Sequence, residues 1–312
     1  MSAKNSISRR SFVALSAVAA TAFAPEKARA QESVRLGGPV FESYNSPEEW
    51  TKAVKALGYS AAYCPVGADA GDALIAEYKQ AAHEADITIA EVGAWSNPID
   101  PDSKKRAAAI DKCKTQLELA EKIGARCCVN ISGSLNPEKW DSHHPKNLRS
   151  ATLNLIIKTT REIIDAVNPQ VTYFTLETMP WAIPDSTESY MTLLERMKRD
   201  RFAAHYDPVN IINSPRRYYN NAKIISDAFS AFGNQIRSCH AKDIKMSDAF
   251  TVHLDEVRPG LGNLDYGVFL KELSRYPDAP LMLEHLPNAE EYKQAADYVR
   301  AKADEVGVAL HG

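Results

Sequence analysis

From residue 34 onward, short apolar runs alternate with stretches whose apolar residues recur every three or four positions. The first pattern belongs to strands buried on both faces, the second to helices with one packed side. The runs are "VRLGGPVF" (34–41), "YSAAYCPV" (59–66), "ITIAEVGAW" (87–95) and "ARCCVNISG" (125–133). They continue with "VTYFTLETM" (171–179), "FAAHYDPVN" (202–210), "QIRSCHAKD" (235–243) and "APLMLEHL" (279–286). Helical stretches fall between them. "SPEEWTKAVKALG" has Ser46 to cap it, Pro47 at the first helical position and Gly58 to end it. Residues 103–124 and 288–307 also close on a glycine.

Eight such units in about 280 residues predict a single (β/α)8 TIM barrel over residues 31–312. A doubly wound open sheet competes. It has fewer units and often a glycine-rich phosphate loop, and neither a GxGxxG nor a Walker sequence occurs here. The segment "IKMSDAFTVHLDEVRPGLGN" reads as one long loop between the last two strands.

The C-terminal strand ends build the active site of such a barrel. The last four strands end in, or carry, Glu177, Asp207, His240 and Glu284, roughly one βα unit apart until the long loop intervenes. Glu284 directly follows the apolar Leu281, Met282 and Leu283. A buried carboxylate there needs a partner or a metal. Three carboxylates in one recess oppose folding unless a cation offsets them. The four are therefore expected to hold one divalent ion. Their donor set suits Mn²⁺ or Mg²⁺, with Co²⁺, Fe²⁺ or Zn²⁺ also accommodated, and does not decide among them; Mn²⁺ is the first expectation.

Other residues near these ends have two readings each. His205 shares the inward parity of Asp207 and either reaches the pocket from below or is a core histidine satisfied by a neighbour. Lys242 has the parity of His240 and either contacts the substrate or forms a salt bridge with Asp243 or another rim acid. Trp95, Trp140 and Trp181 fall at strand ends, where they stack on a sugar ring or pack beneath a loop. Residues 136–149, with His143 and His144, form a candidate lid. Glu91, at the end of the third strand, is a candidate for hydrogen bonding behind the site and is not assigned a role.

Charge and leader sequence narrow the setting. "SRRSFVALSAVAATAFA", followed by "ARA" at 28–30, resembles a twin-arginine export signal cleaved before Gln31. Its apolar run is too short to remain as a membrane anchor. The expected location is periplasmic. Residues 1–30 carry five of the 37 basic residues and one of the 40 acidic ones, leaving the remainder at a formal −7. That acidity argues against nucleic-acid binding. Cys64, Cys113, Cys127, Cys128 and Cys239 show no zinc-type spacing and read as free thiols. Homo-oligomerisation stays open.

With "LET" at Glu177, "YDPVN" at Asp207, "CHAKD" at His240, "RPGLGNLDY" (258–266) and "LEH" at Glu284, the chain resembles the xylose isomerase-like TIM-barrel superfamily. The resemblance implies a sugar isomerase or epimerase working by metal-dependent proton transfer. Glu177 and Glu284 would remove and return a proton next to a carbonyl, through an enediolate. It also directs attention to Asn210, where sugar epimerases commonly have a histidine, and to Arg258, shifted relative to their arginine. Asn210, Lys242, Arg258, Trp181 and His205 are the expected substrate-binding residues. The strand-two and strand-three ends lack the histidines of the superfamily's endonucleases. A small sugar or glycoside is the expected partner. The alternatives are a 3-keto-glycoside lyase or hydrolase with the same site, and a non-catalytic sugar-binding barrel.

Overall fold

A computed structural model describes residues 33–312, so the export signal expected at 1–30 lies outside the described residues. Eight parallel strands close into a barrel: β1 (Leu36–Gly38), β2 (Ala61–Tyr63), β3 (Thr88–Gly93), β4 (Cys127–Asn130), β5 (Tyr173–Glu177), β6 (Phe202–Tyr206), β7 (Ile236–Ala241) and β10 (Leu281–Leu283). Each strand pairs with its sequence neighbour in the barrel, and β10 closes on β1 through Leu36–Leu281 and Gly37–Met282. The predicted TIM barrel is the observed fold, with strands shorter than the apolar runs that announced them. No helix among the described residues is long and apolar enough to cross a membrane.

The helices form for the local reasons their sequences suggest. In α1 (Pro47–Ala56) the Ser46 hydroxyl accepts the Glu49 N–H at 3.2 Å, and Gly58 takes the left-handed conformation beyond its end. Asp102 caps α3 (Ser103–Ile123), and Asn288 caps α10 (Ala289–Val306). The other principal helices are α2 (Asp72–Glu84), α4 (Ser150–Val167), α5 (Thr187–Met197), α8 (Asn221–Phe232) and α9 (Tyr266–Leu273).

Strand alternation divides the barrel wall into two environments. Leu176, Tyr206, Cys239 and Leu283 belong to the core shared with the helices, where Tyr206 meets Phe229, Phe232 and Phe269 edge-on. Their chain neighbours Glu177, His205, His240 and Glu284 have the opposite parity and point inward. All five cysteines are free, and all but Cys64 are buried.

Two departures from the sequence reading matter for the site. The run 202–210 is strand only to Tyr206; Pro208–Ile211 forms the short helix α6, followed by α7 (Pro215–Tyr219). Pro208 suits a first helical turn, where an N–H has no partner in any case. The expected long loop contains an antiparallel hairpin, β8 (Asp243–Met246) with β9 (Leu254–Val257). Asp243 anchors it. One carboxylate oxygen accepts the N–H groups of Ile244 and Leu264, and the other those of Gly260 and Gly262, at 2.8–3.1 Å. Asp243→Ala strands these donors and is expected to cost about 2 kcal/mol in urea unfolding; an unchanged midpoint would refute the anchoring role.

Candidate active site

The site lies at the C-terminal mouth. Glu177 closes β5, Asp207 follows β6, His240 lies in β7 and Glu284 follows β10. One ligand atom from each falls within 4.8 Å of the others. Ligands about 2.1 Å from an ion stand roughly 4.2 Å apart when opposed, so the set encloses a point of suitable size.

Local structure aims each group. Asp207 is the N-cap of α6: its Oδ1 accepts the Val209 N–H at 2.9 Å, leaving Oδ2 for the centre. Thr178 pins its backbone, donating to the Asp207 carbonyl and accepting its N–H. Glu177 Oε1 accepts from Asn210 Nδ2 at 3.0 Å and meets His240 Nδ1 at 3.0 Å. His240 Nδ1 is also 2.9 Å from Glu284 Oε2. The hydroxyl of Tyr190 bridges the strands beneath, donating to the Leu176 carbonyl and accepting the His205 N–H.

Lys242 supplies a buried positive charge. Its Nζ lies 2.8 Å from Asp207 Oδ2, 3.0 Å from Glu284 Oε2, 3.5 Å from Glu256 Oε2 and 3.8 Å from Glu177 Oε1. Of the expected alternative partners, Asp243 instead holds the hairpin, and other acids of the mouth pair with Lys242. Despite the short separations, Asp207 Oδ2 and Glu284 Oε2 have no hydrogen-bond partner. They are close enough for ion pairing, but the approach directions are wrong for a hydrogen bond. Two buried, orphaned carboxylate oxygens beside an imidazole nitrogen fit a divalent cation.

The charges pull on one another. Burial pushes the Asp207 carboxyl up, to about 6, against the downward pull of Lys242. Burial also raises Glu177 and Glu284, but in both His240 and Lys242 outweigh it and the net shift is downward. Burial disfavours the charged His240 ring, yet Glu284, Glu91 and Glu177 hold it well above the ordinary histidine range. To ligate a cation through Nδ1 it must release a proton.

Below this layer lies one the sequence reading left unassigned. Glu91 is 2% exposed; its Oε1 meets His205 Nε2 at 2.9 Å and accepts from Ser238, and its Oε2 faces His240 Nε2 at 3.3 Å. His205 is thus a core histidine whose Nε2 is held by a neighbour, not a residue of the cavity. Glu91, His205 and His240 form a second group with ligand-type geometry. The signal in the sequence was an acid inside an apolar strand, the anomaly already noted at Glu284.

A cavity of about 570 Å³ opens above the four residues, lined by Glu177, Glu284, Lys242, Asn210, Trp181 and Trp140 among others. Arg258 is not brought there: its Nε donates to Glu291 of α10 at 2.8 Å, because the hairpin turns that segment outward. Nor do His143 and His144 line it, although Trp140 and Asp141 of the same loop do. A comparable hollow of about 590 Å³ touches the starts of β3 and β4, away from these strand ends.

The profile of the xylose isomerase-like TIM-barrel family matches residues 51–302. The chain belongs to this family. No curated protein sequence matches it significantly. Among solved structures it is similar to D-psicose 3-epimerase from Clostridium cellulolyticum, with a TM-score of 0.63 and 14% identity, covering 88% of this chain and 99% of that one. It is also similar to 3-keto-D-glucoside 4-epimerase from E. coli, with a TM-score of 0.61 and 14% identity, over 86% and 100% of the two chains. Endonuclease IV from Thermus thermophilus gives a TM-score of 0.65 at 12% identity, over 87% and 99%. At such identities the likeness shows the fold, and the reaction must be argued from the site.

Two outcomes test the electrostatics. Lys242→Met removes the internal cation and is expected to destabilise the cation-free protein by about 3–5 kcal/mol, with added Mn²⁺ recovering most of the loss in thermal unfolding. An equal loss with and without Mn²⁺ counts against it. Glu91→Gln leaves His240 poorly oriented and should lower Mn²⁺ affinity about 10–100-fold in competition with a chelator; wild-type affinity would exclude that role.

Proposed function

We propose that the protein is a divalent-metal-dependent sugar epimerase or isomerase that removes and returns a proton next to a carbonyl. One observation carries the reading: Glu177 and Glu284 belong to one ion-sized cluster and also line the cavity above it. Two carboxylates at one reacting carbon are what reversible proton transfer needs, since one takes the proton and the other, or the same one, returns it.

In this reading Glu177, Asp207, His240 and Glu284 hold the cation, Mn²⁺ being the first choice for three oxygens and one nitrogen. When bound, the cation supplies Lewis acidity at the sugar carbonyl. The remaining work belongs to the chain. Glu177 keeps its Oε1 tied to Asn210 and facing the same centre as His240 Nδ1, which leaves Oε2 as its proton-carrying oxygen. Glu284 faces His240 and Lys242, whose positive charges keep that carboxyl ionised, the form a base must start from. Asn210 holds a sugar hydroxyl but carries no proton. Return to the opposite face gives an epimer, and return to the adjacent carbon an isomer.

A second reading uses the same first step. On a 3-keto-glycoside, loss of the proton next to the ketone can be followed by rupture of the bond to the aglycone oxygen. That oxygen leaves with the electron pair and takes up a proton. The cavity, with room for more than an open-chain sugar, favours a glycoside as substrate. Export through the twin-arginine route would place the protein where sugar phosphates are scarce, in keeping with a neutral substrate.

Metal analysis of protein folded with Mn²⁺ should find about one cation per chain. In D₂O, deuterium should enter the carbon beside the ketone of a ketose or keto-glycoside. Glu284→Gln should slow that exchange about 10²–10⁴-fold. Exchange at the wild-type rate in that variant would remove Glu284 from the chemistry, and aglycone release without exchange into product would favour elimination.

A further inference from the structure

The upper half of the cavity is built from indoles that the proton transfer does not use. Trp95 follows β3, Trp140 sits on the loop after β4 and Trp181 on the loop after β5, and all three line the same space. Trp95 and Trp140 remain 36% and 38% exposed. The aromatic pairs inside the protein, such as Tyr206 with Phe229, involve none of these three among the described residues. Each lines the cavity without a protein ring stacked on it among the described residues.

Trp95 is held there at a conformational cost. Its φ of +23° is one that a bulky side chain rarely adopts. Its indole lies over Gly93, where any Cβ would collide with the indole nitrogen. Strain of this kind persists where the surroundings enforce it, and here it accompanies an indole that lines the cavity and stays partly exposed.

Charge limits what the space accepts. Asp141, Glu177, Glu256 and Glu284 contribute carboxylates to the lining, whereas Lys242 and His285 are already engaged by those acids and no arginine lines the cavity among the described residues. A phosphate or carboxylate on the ligand would meet repulsion; an uncharged ring would meet aromatic surface.

We propose that Trp95, Trp140 and Trp181 form an aglycone subsite, so that the substrate is an uncharged keto-glycoside whose second ring stacks on these indoles while its oxidised ring lies over Glu177 and Glu284. The assignment of the oxidised ring rests on the proton-transfer reading; the stacking of the second ring does not.

The test compares D-fructose, methyl 3-keto-β-D-glucoside and phenyl 3-keto-β-D-glucoside by deuterium exchange with Mn²⁺. Phenyl β-D-glucoside, which lacks the ketone, is titrated separately by quenching of tryptophan fluorescence. The phenyl keto-glucoside should exceed the methyl one by about tenfold in kcat/KM, chiefly through KM. That ratio should fall toward one in Trp140→Ala and Trp181→Ala and be largely restored in Trp140→Phe. Phenyl β-D-glucoside should bind wild type and lose affinity about tenfold in both alanine variants. A phenyl-to-methyl ratio of one in wild type, or fructose exchanging as fast as the glycosides, overturns the subsite. Binding of phenyl β-D-glucoside that both alanine variants lose, with no exchange on any of the three ketones, supports the subsite and sinks the proton transfer instead.

Discussion

Carboxylates crowded into a buried recess are the constraint that organises this molecule. Glu177, Asp207 and Glu284 converge at the barrel mouth, Glu91 lies beneath them and Glu256 leans in from the hairpin. In a poorly screened interior, like charges at these separations repel far more strongly than on the surface. The fold answers with His240 and Lys242, both enclosed by acids. The balance is incomplete, because Asp207 Oδ2 and Glu284 Oε2 still lack hydrogen-bond partners. The proposed divalent cation would complete it. Ion binding and folding would then be coupled, since whatever neutralises the cluster also stabilises the barrel that assembles it.

Much of this was legible in the sequence because a strand has a period of two. An inward residue at a strand end keeps its parity however the helices pack, so Glu177, His240 and Glu284 stood out against apolar neighbours. Depth was harder to read. His205 and Asp207 share a parity, yet one lies under the site and the other in it, because β6 ends at Tyr206 and the chain turns into a helix at Pro208. Glu91 escaped assignment because its partners come from β6 and β7, and pairing across a closed barrel leaves no trace in local spacing. The hairpin was missed for another reason. "LDEV" (254–257) is mostly polar and half exposed, so no apolar run marks it, and without it Arg258 could not be seen to turn toward Glu291.

Family membership and site geometry answer different questions. The same barrel is shared by structures named as a psicose epimerase, a keto-glucoside epimerase and an endonuclease, so the frame does not choose a reaction. The choice lies with residues at the mouth. Asn210 holds Glu177 by hydrogen bonding but offers no group that titrates near neutrality, so in the proposed reaction proton carriage would fall to the two glutamates. Loops after β3, β4 and β5 decide what stands above them, and here they present indoles.

His240 joins these levels. Its Nδ1 faces Glu177 and Glu284, and its Nε2 faces Glu91, which Ser238 and His205 hold from the barrel interior. A ring fixed at both nitrogens cannot rotate without breaking contacts in both layers. The orientation of the ion-holding cluster is therefore set by core packing, where a displaced side chain meets close-packed neighbours on every side. The tryptophans, by contrast, ride on loops that can change without disturbing that core. Chemistry anchored in strands and selectivity carried on loops can vary independently, and that separation is how one cluster of ligands can serve substrates of different size.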